Sequence, residues 1–247
     1  MKREPWEGHF IGIEERKFQF GFLTNGEAEL NPVDSRGNKI SKTNPIEIEF
    51  KILETAPDGT VVSKQIKEES LTSTTEATKN PSDPVTITGK TTGDASFQIT
   101  ITPGSKTISL TGAVTDPGTL KNPLTFVISA KFTPYNYQSS TDEDSLKAFE
   151  KKIKREDLNL ELLSGETKSI PFTERLDLGE EFPEGFKHIQ LETHAYGETE
   201  FSLQATGTSK IVSDGDRRDY LWNSFTLHWV PDPNATPESQ QFIITGG

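Results

Sequence analysis

Three aspartates stand close together in the run Ser213-Asp-Gly-Asp-Arg-Arg-Asp219. Carboxylates alternating with glycine in a turn suit calcium, which takes oxygen ligands in a flexible geometry. The metal expectation therefore falls on Asp214, Asp216 and Asp219, with calcium as the one ion the sequence suggests and no other cofactor. The run lacks the spacing and terminal bidentate glutamate of an EF-hand, and Arg217 and Arg218 partly neutralise it. A hairpin turn with paired charges is the competing reading. A second acidic group, Asp177, Glu180, Glu181 and Glu184, lies in a loop containing Gly and Pro.

His188, Gln190, Glu192 and His194 alternate with apolar Ile189 and Leu191, so they share one face of an expected strand. Neighbours two apart on a strand lie ~7 Å from each other, close enough for Glu192 and His194 to converge on one ion. His188 and His194 are ~20 Å apart on the same rise and cannot. A third ligand would have to come from another strand, and His228 is the candidate. A solvated sheet face is the simpler account.

Aromatic rings offer a non-metal route to binding. Trp6, Tyr196, Tyr220 and Trp222 fall near expected strand ends and are taken as ligand-binding rings, since Trp and Tyr anchor interfaces. Over residues 220–230 the rings occupy both parities, Tyr220 and Trp222 on one and Phe225 and Trp229 on the other, as in a strand covered on both faces. Catalysis has no comparable signal. There is no G-x-S-x-G elbow, phosphate loop or dinucleotide fingerprint. The absence of Cys removes thiol catalysis and Cys-ligated metals. Four His allow a Ser-His-Asp triad without local support for one. With 38 acidic residues some carboxylate pair is inevitable and carries no information.

The elements that must position these residues are strands. Phe18, Phe20 and Phe22 alternate with polar or small residues, as do Ile46, Ile48, Phe50 and Ile52, and the stripe Leu124, Phe126, Ile128, Ala130 and Phe132. Period-two alternation marks half-buried strands. Asn25-Gly26, Asp58-Gly59 and Pro117-Gly118 punctuate them as turns. Residues 141–155 break the pattern: Leu146, Phe149 and Ile153 recur at helical spacing between an acidic start and a basic end, with Thr141 and Asp144 at capping-box spacing. Residues 67–83, rich in Ser, Thr and Glu, show no period and are expected to be a loop.

A gap-free self-similarity relates residues 85–97 to 189–201, and the stripe at 124–132 has a counterpart at 222–230. The expected architecture is therefore all-β: two antiparallel β-sandwich, immunoglobulin-like modules, residues 1–138 and 139–247, the second opening with the helix.

Over 247 residues the formal net charge is −12, which argues against a nucleic-acid partner. No run approaches the ~18 apolar residues of a membrane span. The only Met is Met1, and a chain poor in oxidisable sulfur suits an oxidising setting. The N-terminus has no apolar leader segment, so a periplasmic or extracellular location implies a leader removed earlier. The expectation is a non-catalytic, acidic binding or adhesion protein with a glycan or protein ligand and possible self-association through sheet edges. Alternatives are a structural subunit of an envelope or particle, and an enzyme acting on polysaccharide.

Overall fold

The computed structural model describes residues 8–40, 43–74, 78–135, 143–214 and 219–247. Strands account for 53 % of the chain and helix for 9 %, so the alternating stripes do set the class, and it is all-β. In chain order the first strands are β1 (His9–Glu14), β2 (Phe18–Leu23), β3 (Ala28–Pro32), β4 (Ile46–Thr55), β5 (Val61–Lys64), β6 (Ile66–Ser73) and β7 (Thr78–Lys79). There follow β8 (Val85–Thr91), β9 (Ser96–Gly104), β10 (Thr107–Asp116) and β11 (Leu124–Phe132). Helix α1 (Glu143–Ile153) precedes β12 (Asp157–Leu162), β13 (Thr167–Pro171), β14 (Arg175–Leu176) and the short α2 (Leu178–Glu181). The chain ends on β15 (Phe186–Glu192), β16 (Phe201–Ala205), β17 (Lys210–Ser213), β18 (Asp219–Tyr220), β19 (Phe225–Val230) and β20 (Phe242–Gly246).

The ladders run in two series. One passes β6–β8–β9–β10–β20–β16–β15–β12–β13, every pairing antiparallel. The other passes β7–β1–β2–β3–β4–β11–β19–β17, with β5 on the far end of β4 and β7 the one parallel partner. Among the described residues a single pair, Phe186 with Ile211, joins them between β15 and β17. Their inward residues meet in one core. Phe22, Phe50, Phe126 and Phe97 follow one another at ring-centroid distances of 5.2, 6.4 and 6.4 Å, and Phe18 meets Phe201 at 6.2 Å. The β6–β13 series thus lies face to face with the β7–β17 series.

Two glycines set how closely these layers approach. A Cβ on Gly112 of β10 would stand 2.0 Å from Cε1 of Phe126, and one on Gly246 of β20 would stand 2.3 Å from Cδ1 of Phe18. Each leaves the space that a phenylalanine of the opposite layer fills.

Pairings cross the midpoint of the chain. β10 pairs β20 through four residue pairs and β11 pairs β19 through five, and the buried residues from both halves form one cluster. The boundary expected at 138/139 is spanned by these two ladders, and what is observed is a large antiparallel assembly rather than two visibly separate immunoglobulin-like units. The hairpins matched by the self-similarity, β8–β9 and β15–β16, lie in the same layer on either side of β10 and β20.

The helix forms where expected. Glu143 and Asp144 in its first turn and Lys151 and Lys152 in its last oppose the helix dipole, while Thr141 lies outside the described residues. Part of the segment expected as a loop is instead strand. Residues 66–73 form β6, an edge strand paired among the described residues with β8 alone and broken by a register shift between Lys67 and Thr72. Its inward anchors are the buried Leu71 and the half-buried Ile66. An edge strand held by one partner and two apolar residues five apart has too little to leave a period in the sequence. Among the described residues no helix is long and apolar enough to cross a membrane.

Candidate functional site

Helix α1 is held to the sheet by rings. Phe149 sits edge-on to Tyr135 at 5.3 Å and to Trp222 at 5.1 Å, and Ile153 is buried. This seats the end of the helix beside Glu156, which is 6 % exposed. Tyr135 Oη donates to the Glu156 carboxylate, 2.7 Å from each oxygen. Thr193 Oγ1 donates to Oε2 at 2.5 Å and accepts from the Ala195 N–H at 3.0 Å, capping the 3-10 turn His194–Tyr196. Burial, reinforced by the bond to Glu156, pushes the Tyr135 hydroxyl well above the ordinary phenol range. It stays protonated and remains a donor.

Around this buried carboxylate opens a cleft of about 400 Å³, lined by Lys152, Arg155, Glu156, Glu192, Thr193, His194, Gly197, Glu198 and Glu200. Lys17, at the start of β2, reaches its rim, donating to the Glu198 carbonyl at 3.2 Å. Four carboxylates, two cations and an imidazole face a space within the ~300–1,000 Å³ of ordinary ligand sites. Acceptors outnumber cations, so the lining disfavours an anion and offers many hydrogen bonds to a neutral polar molecule.

The sequence-derived candidates are dispersed. Glu192 and His194 do line one cleft, Glu192 from the outer face of β15 and His194 from the turn beyond it. His188 and Gln190 remain on the sheet face, and His228 belongs to β19 in the opposite layer. Trp6 lies outside the described residues. Tyr196 and Trp222 are buried at 0 % and 2 % exposure, so neither ring offers a face to a ligand: both are core residues, because the helix and β16 cover them. Tyr196 meets Phe201 edge-on at 5.5 Å. Its hydroxyl is buried without a hydrogen-bond partner among the described residues, and burial raises its pKa far above the usual value. Half-buried Tyr220 stacks on Trp222 at 5.1 Å, with the Arg175 guanidinium 5.9 Å from its centroid.

Of the expected calcium ligands, Asp216 lies outside the described residues and Asp219 starts at β18. Asp214 Oδ1 is 2.5 Å from His228 Nε2, and His228 Nδ1 is 2.7 Å from Ser129 Oγ. Among the described residues no three His, Asp or Glu side chains gather as a metal would require. Ser129, His228 and Asp214 do form a Ser-His-Asp chain. In the hydrolase template, however, serine bonds Nε2 and aspartate Nδ1; here the nitrogens are exchanged and Ser129 is 1 % exposed. The chain ties the turn after β17 to β11 and presents no accessible nucleophile. In the second acidic group, Asp177 caps α2 by accepting from the Glu180 N–H at 2.9 Å.

Glu156 carries no local mark in the sequence. Its partners lie 21 residues before it and 37 after it, and only the fold brings them together.

No protein-family model matches this chain, and no curated protein does. Among the solved structures similar to it are two enzymes. A bacterial glucoamylase complexed with acarbose shares 9 % identity at a TM-score of 0.46, covering 96 % of this chain and 31 % of its own. A galactose mutarotase-related enzyme from Lactobacillus acidophilus shares 9 % at 0.45, covering 96 % of each chain. This chain spans about a third of the glucoamylase's length. At such scores the likenesses carry no argument about activity.

Proposed function

We propose that the protein is a non-catalytic saccharide-binding protein that works outside the cytoplasm, with the cleft beside Glu156 as its ligand site. The observation that carries this reading is the lining itself: carboxylates, cations, an imidazole and a threonine hydroxyl around about 400 Å³. A polyhydroxylated ring bears donors and acceptors on every side, and carboxylates and cations satisfy them with hydrogen bonds stronger than neutral pairs make. The fixed Glu156, pinned by Tyr135 and Thr193, gives such a ligand one acceptor already in place. The sulfur-poor composition suits an oxidising compartment.

Isothermal titration of the full chain against a panel of neutral mono- and disaccharides tests the reading. Saturable binding is expected, weakened about tenfold or more by Glu192→Ala or Glu200→Ala, since a lost charge-assisted hydrogen bond costs ~1.5–3 kcal/mol. Both side chains are exposed, so neither change should disturb folding. No heat with any member of the panel, or identical affinity in both variants, overturns the assignment.

A further inference from the structure

The outward faces of the two layers differ in charge. On the β4–β11 side, Glu47 pairs with Lys131 at 2.8 Å and Glu49 with Lys51 at 2.6 Å. The opposite layer presents an unbroken row of paired residues across six strands: Thr107, Thr245, Ser202, Gln190, Asn159 and Ser169. Each is a hydroxyl or an amide, and none is buried. Their inward neighbours, such as Ile108, Ile244, Leu203 and Ile189, are buried. A second row, Thr102, Ser109, Ile243 and Gln204, runs beside the first and continues into His188 of β15 and Glu161 of β12. At its β9 end, Thr100, Thr102 and Thr111 floor a groove of about 290 Å³ whose side is formed by Pro237, Glu238 and Gln241. The chain is 26 % charged with a net charge of −12, yet from β9 to β16 the outward residues of both rows carry no charge. Charge returns beyond β16 and at the margins: His188 and Glu161 extend the second row, Asp157 and Glu192 flank the first, and Glu238 edges the groove. Glu192 and Glu200, the latter two residues before Ser202, line the cleft.

We propose that this face docks an extended neutral polysaccharide, lying across the strands and leading into the cleft; the idea rests on the cleft's being a saccharide site. A charged partner would be stripped of water against the stretch from β9 to β16, whose two rows offer no counter-charge, at a cost that uncompensated burial of charge makes large. A protein partner would want aromatic, Met or Arg anchors, and the two rows offer only Ile243. A neutral polyhydroxylated chain exchanges its water for hydroxyl and amide partners one for one. Strands ~4.8 Å apart repeat those partners at about the length of a sugar ring.

Co-sedimentation of the full chain with insoluble cellulose, starch and β-1,3-glucan, against alginate and chitosan beads at the same salt, tests the surface. Binding to at least one neutral matrix and to neither charged one is expected. Ser202→Lys with Thr111→Lys should cut the bound fraction about tenfold, and so should the isosteric Gln190→Glu, with circular dichroism unchanged. Small-saccharide heats at the cleft should persist in the Ser202→Lys, Thr111→Lys variant. Failure to sediment with any neutral matrix, binding only to a charged one, or wild-type sedimentation by all the variants overturns the proposal. Sedimentation that persists when no small saccharide gives heat upholds the face and removes the cleft, so the two failures read differently.

Discussion

Tyr135 and Tyr196 bring the same phenol into the protein under different conditions. Tyr135 donates to a buried carboxylate, whereas the Tyr196 hydroxyl is buried with no partner among the described residues. Tyr135→Phe should therefore destabilise the fold by ~1.5–3 kcal/mol, because it leaves Glu156 under-satisfied. Tyr196→Phe should be neutral or stabilising by up to ~1 kcal/mol, because it removes a desolvated group that makes no bond. Urea denaturation of the two variants checks the contrast, and equal losses would contradict it. Acid sensitivity belongs to other residues. Asp34, Asp58 and Asp232 each accept backbone N–H groups, from Asn38 and Arg36, from Thr60 and from Asn234. Those bonds hold each carboxyl below its ordinary value of 3.8. A carboxyl depressed in the folded state contributes stability above its unfolded pKa and loses it as pH falls through the folded one. The urea midpoint should hold steady above about pH 5 and decline below about pH 4, and Asp34→Asn should flatten that decline. Turn aspartates like these are legible in the sequence, since Asp58-Gly59 announces its own bonding. Glu156 is not, because its partners are remote in the chain.

At the scale of elements, the strands and the one long helix follow from local pattern. Leu146, Phe149 and Ile153 predict the helix and its inner face, and Phe149 indeed bridges Tyr135 and Trp222. The pattern does not say which element a ring will cover. Trp222 reads equally well as an exposed platform or as the floor under a helix, and packing alone decides for the floor. Phe149→Ala should loosen the helix at a cost of ~1–3 kcal/mol, below that of a fully buried ring because Phe149 is half-buried, with amide exchange rising first across residues 143–153. The strand glycines show the same limit from the other direction. Gly112 in a sequence reads as a weakness in a strand, whereas in the fold it is the cavity that Phe126 fills. Gly112→Ala should lower stability by ~1–3 kcal/mol through overpacking, measured by thermal or urea unfolding. An unchanged midpoint would mean that the layers can part without cost.

Considered whole, the molecule has a partition that alternation cannot reveal. Self-similar stripes suggest two units in series, and a strand's sequence says which of its faces is inward but not which strand it will lie beside. The β10–β20 and β11–β19 ladders place both halves in both layers. Separate chains of residues 1–138 and 139–247 should accordingly remain unfolded, and mixing them should restore the β signal in circular dichroism. An independently folded half would break this expectation. The position of β20 has a further consequence for how the protein is made. It is the central plank of its layer, flanked by β10 and β16, yet every other described strand precedes it in the sequence and leaves the ribosome first. Throughout synthesis two open sheet edges must wait, each a template for pairing with a neighbouring nascent chain. Whatever compartment receives the protein inherits a vulnerable interval that closes only when residues 242–246 arrive, so a chain cut before residue 242 is expected to self-associate where the full chain does not, as size-exclusion chromatography of the two would show.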